Sequence, residues 1–383
     1  MAIFRLPNEL LLAIADEVGD PKDLAALVRT NRRFACIVTP ILHDLALLDK
    51  DGIPAICWAG KQGHEYLIRL LLSLGVDINQ RDKKTGLEKR TGESALHCAA
   101  RAGKETTVRF LLENGASVQE TNNYRETPLH RALWGRSEAI LEMLLEHGAD
   151  INARTSFLQT PLFDALEGGN EALAIFLVRK GANISHRDSS GETVLLPAVR
   201  EGYLEITRIL VNKGIDINAQ NTEGETALHE AAREGYLEIG RLLLDSGARF
   251  DIGNADGQTP LHLAVSVGGE RYEDFVRLLL QTGADVNTMD AYSETPLHYA
   301  ARHQSDAISA VLIEHGASVN LPNHFHGDTP LNISVQWGFK TVVALLLRHG
   351  ADIRIRNREG HTALELAGRR HDLLSLFEAI NIE

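Results

Sequence analysis

Aromatic residues make up only 5% of the 383 residues, and hydrophobic residues 44%. That composition excludes a thick aromatic centre and suits a core of Ala, Leu, Ile and Val in thin stacked layers. Cysteine is scarce as well: Cys36, Cys57 and Cys98 are odd in number and far apart, so no disulfide framework is expected. Basic residues are outnumbered, 39 Lys and Arg against 52 Asp and Glu, for a net charge of -13. General affinity for nucleic acid or an anionic membrane surface needs the opposite balance, so neither is expected as a partner. No run approaches the roughly 18 to 20 apolar residues of a membrane helix. Charge and Pro7 stand where a secretory signal would have its apolar core, which leads us to expect a cytoplasmic or nuclear protein.

What the chain has in abundance is itself. The stretch from Gly224 to Ala248 recurs on both sides. With Thr226 as register mark, its equivalents are Ser94, Thr127, Thr160, Thr193, Thr259, Thr295, Thr329 and Thr362, at intervals of 33, 33, 33, 33, 33, 36, 34 and 33 residues. A fixed period of that size signals a solenoid of stacked supersecondary units.

Each unit has a readable physical plan. Thr226 precedes a short apolar stretch with small Ala231 and Ala232, as in a capped helix whose close neighbour needs room. A turn at Gly235 leads to a second helix over 239–244, and Gly247 is placed to end it in the left-handed conformation. A lone unit leaves its apolar faces wet, so stability must come from stacking.

Thr127-Pro-Leu-His130, Thr259-Pro-Leu-His262 and Thr295-Pro-Leu-His298, with the second-half motif at Leu144-Leu-Glu-His-Gly-Ala-Asp-Ile-Asn152, resemble the ankyrin repeat. The resemblance implies an all-α ankyrin-repeat solenoid over residues 49–383, about ten units of paired helices joined by β-turn loops. The first unit, from Pro54, is degenerate, and the last, from Thr362, is truncated. The excess between Pro54 and Ser94 falls in a basic stretch, Asp82 to Arg90, readable either as a solvated insertion or as a contact loop.

Residues 1–48 lack the repeat. Pro7 suits a first helical turn, Leu10 and Ile14 continue an apolar stripe, Asp20 or Asp23 can cap a second helix bearing Leu24 and Leu27, and Thr39 and Pro40 open a third. The run Leu6-Pro-Asn-Glu-Leu10, the later Asp23-Leu24 and the stretch Arg32-Arg-Phe34 resemble an F-box, although His43-Asp-Leu45 stands where that family often carries Trp. The resemblance implies docking to a Skp-type adaptor of a cullin-RING ubiquitin ligase through Leu6, Pro7, Glu9, Leu10, Leu11, Ile14, Leu24 and Leu27. The same segment also reads as a cap for the array.

Nothing in the pattern is catalytic. There is no Gly-Lys-Ser/Thr phosphate loop and no nucleophile elbow. The sixteen histidines sort by register: His97, His130, His229, His262 and His298 at the fourth position of the signature are expected to bond the Thr and neighbouring backbone. His147, His315 and His349 precede a helix-ending Gly, where a cation suits the helix dipole. Only His303, His324 and His326 are irregular, without the companions a metal site needs. No metal, cofactor or small-molecule ligand is therefore expected.

Function should lie where units differ. The ankyrin resemblance places partner contacts at the turn tips and at the end of the first helix. Those positions hold Tyr124, Trp134 and Phe157 in adjacent units, then Arg200 and Arg233, then Tyr292, Phe325 and Trp337. We expect two aromatic contact patches with a charged section between them, unless the rings fold back onto neighbouring turns. The combined expectation is a non-enzymatic adaptor, with the F-box recruiting a ligase and the repeats binding a target protein. The alternative is an ankyrin scaffold without ligase recruitment.

Overall fold

A computed structural model describes residues 54–73, 75–82, 91–368 and 370–380. The expected three-helix segment 1–48, with Leu6, Pro7, Glu9, Leu10, Leu11, Ile14, Leu24 and Leu27, lies outside the described residues, as does most of the basic insertion. The chain divides into two compact units, Met1–Ser189 and Ser190–Glu383.

The regular structure of the described residues is helical, their only β-structure being isolated bridges such as Arg81 with Ser94 and Arg356 with Thr362. The first unit holds α1 (Ala55–Gln62), α2 (Glu65–Ser73), α3 (Ala95–Arg101), α4 (Glu105–Glu113), α5 (Pro128–Gly135), α6 (Glu138–Glu146), α7 (Pro161–Glu167) and α8 (Glu171–Arg179). The second holds α9 (Leu195–Arg200), α10 (Leu204–Asn212), α11 (Ala227–Glu234), α12 (Leu237–Asp245), α13 (Pro260–Val267), α14 (Glu270–Gln281), α15 (Pro296–Arg302), α16 (Asp306–Glu314), α17 (Pro330–Trp337), α18 (Lys340–Arg348), α19 (Ala363–Ala367) and α20 (His371–Ile380). Each odd-numbered helix packs on its even-numbered partner and on the next odd-numbered helix of its unit. The core is a sheet of small and aliphatic side chains between these layers, such as Leu129, Ala132, Leu228, Ala231 and Ala232. Close approach is built in: a Cβ on Gly135 would lie 2.4 Å from the Ala100 carbonyl oxygen, so α5 reaches α3 only because that side chain is absent.

The Thr-x-x-His signature explains how each first helix starts. In α11 the Thr226 N–H donates to His229 Nδ1 at 3.1 Å, and the Thr226 hydroxyl lies 2.8 Å from the same nitrogen, closing a capping box. Because Nδ1 accepts, the ring proton sits on Nε2, which donates to the Gln258 carbonyl of the following repeat at 3.1 Å. The same bridge joins His97 to Glu126, His262 to Glu294 and His298 to Asp328. One imidazole thus caps its own helix and ties down the next turn. Protonation would place a second N–H against the Thr N–H, and burial opposes the charge. Burial accordingly lowers the pKa of His97, His130 and His229 to about 4, and that of His262 and His298 below the usual imidazole value.

Two caps lack this partner. Phe163 and Leu196 stand where His is expected, and the buried hydroxyls of Thr160 and Thr193 have no hydrogen bond. Asn332 substitutes in α17, where its Oδ1 accepts the Thr329 hydroxyl at 2.5 Å and its backbone N–H donates to Thr329 Oγ1 at 3.3 Å.

A second bridge comes from the Asn that ends the Gly-Ala-x-Val/Ile-Asn motif. Asn79, Asn152, Asn218, Asn287 and Asn320 each accept, through Oδ1, the N–H of a residue one repeat later, at 2.7 to 2.8 Å. Asn218 and Asn287 also donate to the carbonyls of Gly247 and Gly316. The motif was visible in sequence; its role as a link between repeats was not.

Candidate protein-binding surface

The turn before each first helix is held by a polar side chain that takes the place of backbone partners. Asn122 Oδ1 accepts the N–H of Tyr124 and of Glu126, Thr155 Oγ1 those of Phe157 and Gln159, and Asp290 Oδ1 those of Tyr292 and Glu294. Successive tips are joined by single backbone bonds, Ser156 N–H to Tyr124 O and His324 N–H to Tyr292 O, both 2.8 Å. Side chains at the tips are thereby turned outward. Trp134, Phe157, Phe325 and Trp337 are 65%, 58%, 61% and 61% exposed, and Tyr124 and Tyr292 about 40%.

Three of these tips carry strain. Arg125, Leu158 and Ser293 follow Tyr124, Phe157 and Tyr292 in the left-handed region, with φ of 61°, 61° and 56°. Gly191, Gly224 and Gly257 occupy the same register elsewhere, where the conformation costs nothing. For Leu158 it costs about 1 kcal/mol.

In the first unit the predicted residues come together. Tyr124, Trp134 and Phe157 line one pocket of about 400 Å3, whose other walls include Glu126, Arg131, Gln159, Asp164 and Glu167. Arg131 is fixed by Glu93 at 2.6 Å and Glu126 at 3.3 Å. Glu167 accepts both of its oxygens' bonds from Gln159 Nε2, at 3.1 and 3.0 Å. Asp164, which sequence reasoning passed over, has its pKa pushed up to about 8, mainly by burial and further by the Glu126 and Glu167 charges. No periodic signal marks it, since its environment is assembled from two repeats.

The second unit differs. Tyr292 and Phe325 pack with ring centroids 5.4 Å apart, but Trp337 stacks on Phe339 at 6.4 Å. Arg200 and Arg233 are not free charges at all. Arg200 pairs with Glu192 at 2.7 Å and Glu230 at 2.9 Å, and Arg233 with Glu230 at 2.8 Å and with Glu225. Glu230 is nearly inaccessible between them. Burial works against the Arg200 charge, yet the Glu192 and Glu230 carboxylates outweigh it and raise its pKa. Arg200 therefore braces α9 against α11, Arg233 pairs within its own repeat, and a partner would meet an already neutralised surface.

Two further histidines are placed by their helix ends. His147 and His315 stand at the C-caps of α6 and α16, each donating from Nδ1 to the carbonyl four residues back at 2.8 Å. Among the described residues no group of three or more His, Cys, Asp or Glu is positioned to hold a metal, and no helix is long and apolar enough to cross a membrane.

Comparison with known proteins gives the architecture its family. The family described as ankyrin repeats (3 copies) matches residues 24–122, 56–155, 156–221, 218–290, 242–323 and 276–357. The chain is an ankyrin-repeat protein. Its fold is an all-α ankyrin solenoid, the kind of scaffold that mediates protein–protein contact. This ankyrin-repeat chain is 33% identical over 124 residues to human protein phosphatase 1 regulatory subunit 27, covering 32% of the chain and 70% of the relative. It is 38% identical over 82 residues to inversin of Danio rerio, covering 21% of the chain and 7% of that protein. It is 36% identical over 87 residues to the transient receptor potential cation channel subfamily A member 1 homolog of Caenorhabditis elegans, covering 23% and 6%. The chain thus spans less than a tenth of the inversin and channel relatives.

Proposed function

We propose that this ankyrin-repeat protein is a substrate-recognition subunit of a cullin-RING ubiquitin ligase. Residues 1–48 dock a Skp-type adaptor through Leu6, Pro7, Glu9, Leu10, Leu11, Ile14, Leu24 and Leu27, and the repeats of 49–383 bind the protein to be modified. The observation that carries the binding role is the outward display of Tyr124, Phe157, Tyr292 and Phe325 on turn tips and of Trp134 and Trp337 at first-helix ends, since exposed aromatic anchors supply much of interface energy. Ligase recruitment is supported by the Leu6-Pro-Asn-Glu-Leu10 pattern. The family match begins at residue 24, so Leu24 and Leu27 fall within it while residues 6–14 stand apart. The chain contributes no reacting group in this reading. It raises rate by holding a substrate lysine near the activated ubiquitin.

A second reading is an ankyrin scaffold or regulatory binding subunit without ligase recruitment. The similarity to a phosphatase regulatory subunit favours it. Co-purification separates the two. Wild type and a Leu6→Ala, Pro7→Ala variant, both checked for folding by circular dichroism, are tested for capture of a Skp-type adaptor and cullin. Capture by wild type and loss in the folded variant supports the ligase subunit. No capture by either leaves the scaffold as the better account.

A further inference from the structure

We infer that the aromatic-walled pocket of the first unit is a receptor for a lysine side chain presented by the partner protein. The inference rests on the reading that the repeats bind a protein, and adds the chemistry of what enters. Its walls include the exposed rings of Trp134, Phe157 and Tyr124. Its ionised acids are Glu126 and Glu167, beside the protonated carboxyl of Asp164, against a single cation, Arg131, already bonded to Glu93 and Glu126. A pocket that combines ring faces with excess negative charge favours a cation over a neutral or acidic group.

Asp164 narrows the choice. Its carboxyl lines the pocket from α7, and among the described residues no side chain donates a hydrogen bond to it. The charged groups that face it are Glu126 from the turn before α5, Arg131 on α5 and Glu167 at the end of α7. Partial burial and the like charges of Glu126 and Glu167 raise its pKa to about 8. Arg131, engaged by Glu93 and Glu126, is the one cation that faces it, so a further counter-ion has to come from outside. A lysine ammonium is compact, carries three N–H donors and ends a slim stem able to lie along the rings. The acids come from three residues rather than one, which suits three separate donors better than the planar fork of arginine. On entry the ammonium keeps its protons, Asp164 releases its own to solvent, and a carboxylate–ammonium pair replaces a neutral acid.

The test uses the full chain labelled with 15N, reading the indole N–H signals of Trp58, Trp134 and Trp337, assigned with single Trp→Phe variants. The probes are Nα-acetyl-lysine methylamide and its norleucine and arginine counterparts. The lysine probe is expected to move the Trp134 signal saturably and leave Trp337 in place, with norleucine inert and arginine weaker. Coupled loss of the Asp164 proton should tighten lysine binding roughly tenfold between pH 6.5 and 8.5. Asp164→Asn, similar in shape but unable to ionise, should abolish that pH dependence and weaken binding about tenfold at pH 8.5. A Trp134 signal unmoved by the lysine probe, or moved equally by norleucine, overturns the inference. Tighter binding of the arginine probe overturns the assignment to lysine. These outcomes are independent of adaptor capture, which involves residues 1–48 and neither Trp134 nor Asp164.

Discussion

Replacing His229 by Asn should convert one pH-sensitive junction into an insensitive one. His229 is buried, its pKa is lowered to about 4, and its ordinary value is 6.5. Between those values the unfolded chain takes up a proton that the folded chain refuses. Stability is therefore full above about pH 6.5 and is lost as the pH falls toward 4. At pH 5 the penalty is about 2 kcal/mol for one such residue, and His97 and His130 behave alike. At this register the Asn332 side chain already accepts the capping Thr hydroxyl through Oδ1, so the cap can be kept. What is lost at neutral pH is the Nε2 bond to Gln258, with some packing, about 1.5 kcal/mol together. Guanidinium unfolding followed by circular dichroism at pH 7.5 and 5.0 reads both terms. The variant should be weaker than wild type at pH 7.5 and equal or stronger at pH 5.0. Parallel pH profiles for the two proteins would refute the reasoning, because they would mean that His229 titrates alike in both states.

Four further outcomes are expected. Thr226→Val should cost about 1 kcal/mol by removing a bonded cap, whereas Thr160→Val, whose hydroxyl is buried without a partner, should be neutral or stabilising in the same unfolding assay. Leu158→Gly should stabilise the first unit by roughly 0.5 kcal/mol, relief of the left-handed strain exceeding the added chain entropy; a fall in the midpoint speaks against strain there. Glu230→Gln leaves Arg200 and Arg233 facing each other across a neutral group and should cost about 2 kcal/mol, with the loss reduced in high salt. Trp134→Ala and Trp337→Ala should leave the unfolding midpoint within about 0.5 kcal/mol of wild type. Each should weaken a captured partner by about 2 kcal/mol, measured by calorimetry; unchanged binding in both removes the aromatic anchors from the account.

The period, the paired helices and the structural histidines were legible because each is a local or strictly repeated signal: a capping residue, a helix-ending glycine, a residue type at fixed register. The exposed aromatics were legible for the same reason, since a turn tip is defined by its place in the repeat. What escaped depends on neighbours a repeat away. Arg200 and Arg233 looked like available charges because Glu230, which sits between them, becomes a neighbour of Arg200 only when the helices stack. Asp164 looked like one more polar residue on a first helix, and its environment is made by Glu126 and Arg131 from the preceding repeat. Trp337 was grouped with Tyr292 and Phe325 by sequence order, yet its stacking partner, Phe339, is two residues away in the chain.

The backbone bonds that join successive tips make the surface a ruler. Tyr124 O to Ser156 N–H and Tyr292 O to His324 N–H fix the step between anchors in the main chain, so side-chain substitution leaves the graduations unchanged. Helices stacked side by side are about 8 to 10 Å apart, and an extended peptide advances about 3.3 Å per residue. Residues three apart on a strand point to opposite faces, so it is a polyproline II segment, with three residues per turn and about 3.1 Å per residue, that presents a side chain to each repeat at every third residue. Phe157 follows Tyr124, and Phe325 follows Tyr292, by one graduation, which sets the spacing at which a target must carry its own contact residues.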